Sequence, residues 1–453
     1  MTHDYRAPLP ETLFLLNEVL DLDAVFALAP YQHLDLETAV VILEEGAKFA
    51  EQILAPTNTA GDERGSQLVE GRVITAPGFK SAYRAFADGG WSGIDLPLNF
   101  GGQQVPLVIQ AAFSEMISGA NLAFTMQPIT QRAAAWLLAE HGVDDRAARL
   151  VEALATGRYG ATIAISEPDA GSDVARVRTS ALPHPDNSYR ISGTKSWISF
   201  GDQDYTDQII HLLLARTPDA PAGTRGISLF VVPRIDFETG IPNGVSVERL
   251  ESKMGLHGSP TCTLRFDEAV GYRIGDEHQG LKCMFTMVNL MRLEVAFQGI
   301  GIAHTATDKA SRYAHQRQQG GRPEEAATPI VEHRDVRRML LRMQSRTKAL
   351  RALVLDVAKH LDIARFHSDE NIRAAALAFS EFMLPVCKSY SAESAFEIAN
   401  EAVQVMGGMG FARAGGVEQH VRDCRVASIN EGTTRVQRSD QVMRQLLRDN
   451  GTR

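Results

Sequence analysis

Cysteine is scarce in this sequence: four in 453 residues, Cys262, Cys283, Cys387 and Cys424. They are scattered and form no C-x-x-C pair. That excludes a disulfide framework and a zinc site of the usual spacing, and leaves buried reduced thiols as the plain reading. No metal site is expected. No apolar run approaches the roughly 18 residues needed to cross a bilayer. The first eight residues carry an acid and a proline but no apolar core, so they do not read as a secretory signal, and the cytoplasm is the expected compartment. Basic charge is also in deficit. Lys and Arg number 46 against 55 Asp and Glu, a net charge of -9. A nucleic-acid binder usually shows a basic face, so that class is disfavoured, although a local basic patch for an anionic ligand stays possible. There is no internal repeat and no low-complexity tract.

What is present reads as a multidomain globular chain, 44% apolar and 22% charged. Its texture changes twice. Up to about residue 160 the apolar spacing is helical, as in Val40, Ile42, Leu43, Ala47, Phe49, Ala50 and Ile53, with Gly- and Pro-rich loops. From 161 to 275 short β-type runs dominate, such as Ile227–Pro233 and Thr261–Phe266, with polar turns between them. From 276 to 453 the helical period returns. Val336, Met339, Leu340, Met343, Leu350, Leu353, Val357 and Leu361 form one stripe, with Arg337, Arg338, Arg342 and Lys348 largely off it. Such a stripe packs a helix bundle. The expected fold is α+β in three domains: an N-terminal helical domain (1–160), a middle β-barrel or sandwich (161–275) and a C-terminal four-helix bundle (276–453).

Several short segments carry chemistry. Ser428-Ile429-Asn430-Glu431-Gly432-Thr433 places one carboxylate before a glycine and a hydroxyl, an order that suits a base held at a tight turn whose own N–H can reach a ligand. Ile165-Ser166-Glu167-Pro168-Asp169-Ala170-Gly171-Ser172-Asp173 reads as a hydroxyl-bearing loop at the helix-to-strand change. Gly193-Thr194-Lys195-Ser196-Trp197-Ile198-Ser199 is a strand whose tryptophan would by default be core. A planar indole beside a hydroxyl equally suits a flat cofactor. Arg292 lies on a helix, where a solvated position is the simple reading, and Arg317 offers a guanidinium that suits phosphate oxygens. Gln404-Val405-Met406-Gly407-Gly408-Met409-Gly410-Phe411 ends a helix in glycines, which by itself can be a C-cap and a loop.

Taken in order, these segments resemble the signature motifs of the acyl-CoA dehydrogenases. Ser166 stands for the threonine of T-E-P-x-A-G-S-D, Trp197 and Ser199 fit G-x-K-x-W-I-T/S, and Gln404 to Phe411 fit Q-x-x-G-G-x-G-F/Y. The resemblance implies FAD, with Ser166, Trp197, Ser199, Arg317, Gln404, Gly407, Gly408 and Thr433 as its contacts. It implies an acyl-CoA substrate met by Ser172, Arg292, Asn430 and Gly432, and Glu431 as the base that removes the α-proton while the flavin takes the β-hydride. Some relatives carry their base just before the arginine matched by Arg292; here that position is Met291. His257 stands where the family commonly has arginine. Tyr5-Arg6-Ala7-Pro8 and Met254-Gly255-Leu256-His257-Gly258-Ser259 resemble the methylthiopropionyl-CoA dehydrogenase-like branch. Its members usually have tyrosine before the base, whereas this chain has Asn430, and they extend well past this motif, whereas this sequence ends at Arg453. The implied partners are an electron-transfer flavoprotein as acceptor and further copies of the chain in a homodimer or homotetramer. Three alternatives stay open: an acyl-CoA oxidase using O₂, a flavoprotein acting on another carbon acid such as a nitroalkane, and a nucleic-acid-associated flavoprotein of the same fold.

Overall fold

A computed structural model describes residues 5–142 and 144–447. The outermost residues of the expected first and last domains, 1–4 and 448–453, lie outside the described residues. The chain forms two compact units, each drawn from separated stretches: Met1–Thr59 with Val105–Leu122 and Arg292–Arg453, and Ala60–Gln104 with Ala123–Met291. The first unit is helical; the second holds every strand of the described residues. In chain order the elements used below are α1 (Leu36–Lys48), α2 (Leu107–Ala120), α3 (Leu122–His141), α4 (Asp145–Ala155), β1 (Tyr159–Ala164), β2 (Ser180–Pro183), β3 (Tyr189–Ser199), β4 (Gln208–Ala215), β5 (Ser228–Pro233), β6 (Val245–Leu250), β7 (Thr261–Ile274), α5 (Gly280–Gln316), α6 (Arg334–Phe366), α7 (Glu370–Met406), α8 (Glu418–Cys424) and α9 (Thr434–Asp440).

The seven strands run in the order β1-β4-β5-β7-β3-β2, with β6 on β7. Only β1 and β4 pair in parallel. The β2 edge returns to the end of β4, where Ala181 N–H donates to the Arg216 carbonyl at 2.8 Å and Arg216 N–H to the Thr179 carbonyl at 2.9 Å. That return curls the sheet into a barrel. The apolar run of β5, and the apolar residues of β4 on either side of the buried His211, follow from burial on both faces. Leu212, Leu214, Leu229 and Val231 pack on α3 and α4 through Ala133, Leu137, Leu150 and Leu154. The alternating Leu213, Ala215, Phe230 and Val232 meet Ile191, Leu264 and Phe266 inside.

In the helical unit the α6 stripe is buried as its spacing predicts, with Leu353 and Leu361 at its half-buried margin. Two polar devices join helices far apart in sequence. Arg351, fully buried on α6, sets its fork on Glu115 of α2 (Nη2–Oε1 2.6 Å) and reaches Glu11 at 2.6 Å. Asp362, also on α6, accepts from the N–H groups of Leu107 and Val108 at 2.9 and 3.0 Å and so caps α2, whose preceding Pro106 has no side-chain cap to give.

The region read as purely helical also contains a hairpin, Gln67–Val69 with Arg72–Ile74. Its turn, Glu70-Gly71, has φ +50° and +79°, the left-handed pair of a tight two-residue hairpin. Glutamate is an uncommon residue there, which hides the signal. Among the described residues no helix is long and apolar enough to cross a membrane.

Candidate active site

Glu431 lies in the turn that leads into α9, at φ +49°, with Gly432 following at +91°. A left-handed residue other than glycine costs about 1 kcal/mol or more, so the surroundings must impose it. They do so through the two carbonyls of the turn. Gln437 Nε2 donates to the Glu431 oxygen at 2.9 Å and to the Gly432 oxygen at 3.3 Å. Lys388 Nζ, reaching from α7, donates to the Gly432 oxygen at 2.6 Å. Thr433 opens α9 by accepting from Val436 N–H at 3.3 Å, and Thr434 Oγ1 donates to Glu393 at 2.6 Å. Gly432 can be nothing larger, since a Cβ would stand 2.7 Å from Gln437 Nε2 in a conformation that side chains avoid. Among the described residues the Glu431 N–H donates to no protein acceptor, so it stays available to a ligand.

The Glu431 carboxyl likewise receives no hydrogen bond among the described residues. Burial pushes its pKa up, against the pull of Lys388 and Arg292. Lys388 is itself fully buried, and burial pushes it down to about 8, with Glu431 opposing. Arg292 on α5 is not solvated, as a lone helix-face arginine would be. It is buried and pairs with Asp440 of α9 at 2.9 Å. Asn430 is half-buried, and its Oδ1 has no hydrogen-bond partner among the described residues. Glu431, Gly432, Thr433, Asn430 and Arg292 are thus brought together, and Lys388, Gln437 and Asp440 join them without having been singled out in the sequence.

In the sheet unit, Ser166, Trp197 and Ser199 are brought together by a second device. β3 bulges against β7 between Lys195 and Ile198, and within the bulge Trp197 takes φ +65°. The residue is consequently 62% exposed instead of entering the core as a strand tryptophan ordinarily would. Ser196 N–H donates to the Ser166 carbonyl at 2.9 Å, which fastens the loop to the bulge. Beneath them Lys195, fully buried, donates to Glu167 Oε1 at 2.8 Å and to the carbonyls of Ile165 and Leu214 at 3.1 and 2.7 Å. Glu167 accepts further from Arg178 N–H at 2.7 Å, Thr179 N–H at 3.0 Å and Thr179 Oγ1 at 2.5 Å. Although burial opposes it, these donors hold the Glu167 pKa below its usual value. The exposed indole, with half-buried hydroxyls on either side in the same strand and loop, fits the face and edge of an isoalloxazine. Ser172 is exposed on the same loop. His257 holds its own turn, bonding the carbonyls of Asp62 and Lys253 at 3.0 and 3.1 Å.

Arg317, Gln404, Gly407 and Gly408 are exposed, and among the described residues no hydrogen bond or ion pair joins them to the Glu431 turn. Gly407 ends α7 at φ +59°, its N–H on the Val403 carbonyl at 2.9 Å, which is the C-cap its sequence suggests. Among the described residues no group of three or more His, Cys, Asp or Glu could hold a metal ion.

Three family models match the chain in succession: the acyl-CoA dehydrogenase N-terminal domain over residues 37–158, the middle domain over 162–269 and the C-terminal domain over 278–447. The 3-methylmercaptopropionyl-CoA dehydrogenase of Ruegeria pomeroyi is 41% identical over 99% of this chain and 77% of its own length. The broad-specificity linear acyl-CoA dehydrogenase FadE5 of Mycobacterium tuberculosis is 34% identical over 100% of this chain and 76% of its own. Among solved structures, ACDH-11 of Caenorhabditis elegans in complex with C11-CoA superposes with a TM-score of 0.81 at 22% identity, covering 95% of this chain and 73% of that one, which speaks for the fold.

Proposed function

Because the chain belongs to the acyl-CoA dehydrogenase family, FAD-dependent oxidoreductases that act on the CH–CH bond of acyl-CoA thioesters, we propose that Glu431 is the base that removes the α-proton of the thioester. One observation carries this reading. Glu431 is held in a left-handed turn with its carboxyl unbonded, its pKa raised by burial, and its N–H free. A carboxylate relieved of hydrogen bonds is a stronger base, and closure of the site over an acyl chain would desolvate it further. The free N–H is suited to donate to the thioester carbonyl, where negative charge develops as the proton leaves. FAD, when bound, supplies the hydride acceptor for the β-carbon. Ser166, Ser199 and Trp197 would hold the ring, Arg317 a phosphate, and Gln404, Gly407, Gly408 and Thr433 the rest of the cofactor. Arg292, Ser172, Asn430 and Gly432 would face the substrate.

The acceptor proposed is an electron-transfer flavoprotein, and the assembly a homodimer or homotetramer. Peroxide released per enoyl product separates this acceptor from oxygen. The four buried unpaired thiols support a reducing, cytoplasmic setting, and the three matched stretches support the three-domain division at 160 and 275. The acidic balance argues against nucleic acid as a partner. Replacing Glu431 by Gln tests the central assignment: turnover should vanish while the yellow flavin stays bound. Near-normal turnover would move the base elsewhere.

A further inference from the structure

Lys388 is a buried cation whose place the chemistry above does not yet explain. It lies on the buried face of α7 with Leu384, Ser391, Ala392 and Ala395, fully out of solvent. A methionine would fill that space without the cost of removing a charge from water. Buried lysines are ordinarily compensated by a bonded carboxylate, as Lys195 is by Glu167. Among the described residues Lys388 has one hydrogen bond, to the Gly432 carbonyl at 2.6 Å, and no carboxylate bonded to it. Three other charged groups bear on it. Glu431 and Glu393 favour its charge, and Arg292, itself paired with Asp440, opposes it.

Resting on the reading of Glu431 as the base, we propose that Lys388 is its positioning residue: the ammonium seats the Gly432 carbonyl so that the Glu431 turn stays left-handed, and it supplies the positive charge that accompanies the Glu431 carboxylate. The two tasks separate cleanly because Gln437 shares only the first. Gln437 clasps the Gly432 carbonyl that Lys388 holds, and the Glu431 carbonyl beside it, with a neutral amide. Removing Lys388 therefore takes away a donor and a charge, whereas removing Gln437 takes away a donor alone.

The test is an infrared titration of the Glu431 carboxyl in flavin-loaded, substrate-free protein, with the band assigned by its loss in Glu431→Gln. In Lys388→Met the carboxyl should titrate about one pH unit higher than in the parent, and the acid limb of kcat/KM should move up with it, since a positive neighbour has been lost. In Gln437→Met the titration should stay in place while kcat falls several-fold. If Lys388→Met does not retain flavin, Lys388→Gln keeps a neutral donor at the carbonyl and should show the same upward shift. An unmoved titration in whichever Lys388 variant loads flavin overturns the proposal. The titration requires no turnover, so its failure is distinct from failure of the base assignment, which Glu431→Gln reports separately.

Discussion

Glu167 in the sheet unit and Glu431 in the helical unit are both carboxylates beside a fully buried lysine, and their surroundings send them in opposite directions. Burial raises the pKa of each. At Glu167 a lysine, two backbone N–H groups and a hydroxyl outweigh burial and leave the carboxylate below its usual range. At Glu431 no donor reaches the oxygens, the lysine spends its hydrogen bond on a backbone carbonyl, and burial prevails. The first carboxylate is a rivet: every lone-pair direction it uses is committed to holding a loop and a bulge. The second is kept uncommitted at some energetic cost, which is what proton abstraction requires. Partner count, more than burial or the presence of a lysine, distinguishes the structural group from the reactive one.

Exchanging each carboxylate for its amide gives the largest expected effects and should split them cleanly. Glu431→Gln should lower kcat by about 10⁴-fold, the upper end for loss of a positioned base, with flavin retained. It should also raise the melting temperature at neutral pH. A folded pKa above the unfolded one means that stability is lost as pH rises through the folded value, so removing the ionised group relieves that loss. Glu167→Gln should do the reverse, lowering stability by about 3 kcal/mol at neutral pH with a far smaller change in kcat. Its signature is in the pH profile. The parent's Glu167 contribution is present above the unfolded pKa and fades as pH falls toward the lower folded value, and the variant should lack that fading. Comparable kcat losses in the two variants would break the comparison.

Lys195→Met should cost about 3–5 kcal/mol by stranding Glu167, measurable by denaturant unfolding, and should reduce flavin content because the Ser166 loop and the Trp197 bulge lose their common anchor. Smaller still is Trp197→Gly. Glycine adopts φ +65° without strain, so the flavin-free protein should gain about 1 kcal/mol while flavin retention falls. A loss of stability there would mean that the indole is packing, contrary to its exposure. Asn430→Tyr should have the mildest effect, shifting the chain-length profile of acyl-CoA turnover by filling space beside Glu431, and an unchanged profile would take Asn430 out of the acyl cavity.

The residues legible in the sequence were those embedded in contiguous motifs. Glu431, Gly432 and Thr433 declare a turn by their order, and the α6 stripe declares a packed helix by its period. Barrel strand β5 announces itself as a short apolar run. What escaped were groups whose meaning depends on a distant partner. Arg351 sits in the α6 core stripe only because Glu115 waits 236 positions away, and Asp362 caps a helix to which it does not belong. Lys388 follows Leu384-Pro385-Val386-Cys387 as a lone charge on an apolar face, a usable signal. Its target at Gly432, however, is a backbone oxygen, and no sequence pattern marks one. Lys195 and Glu167 lie inside motifs read for their neighbours, Trp197 and Ser166, so their own pairing went unread. The exposure of Trp197 is likewise a product of the β3 bulge, a register event invisible to a count of alternating residues.

The most direct measurement is exchange of the α-hydrogen of a saturated acyl-CoA with deuterated water, followed by mass spectrometry on the flavin-loaded enzyme under anaerobic conditions. Glu431 as the base predicts deuterium at the α-carbon with the parent protein and with Glu167→Gln, and none above background with Glu431→Gln. Undiminished exchange in Glu431→Gln would contradict it.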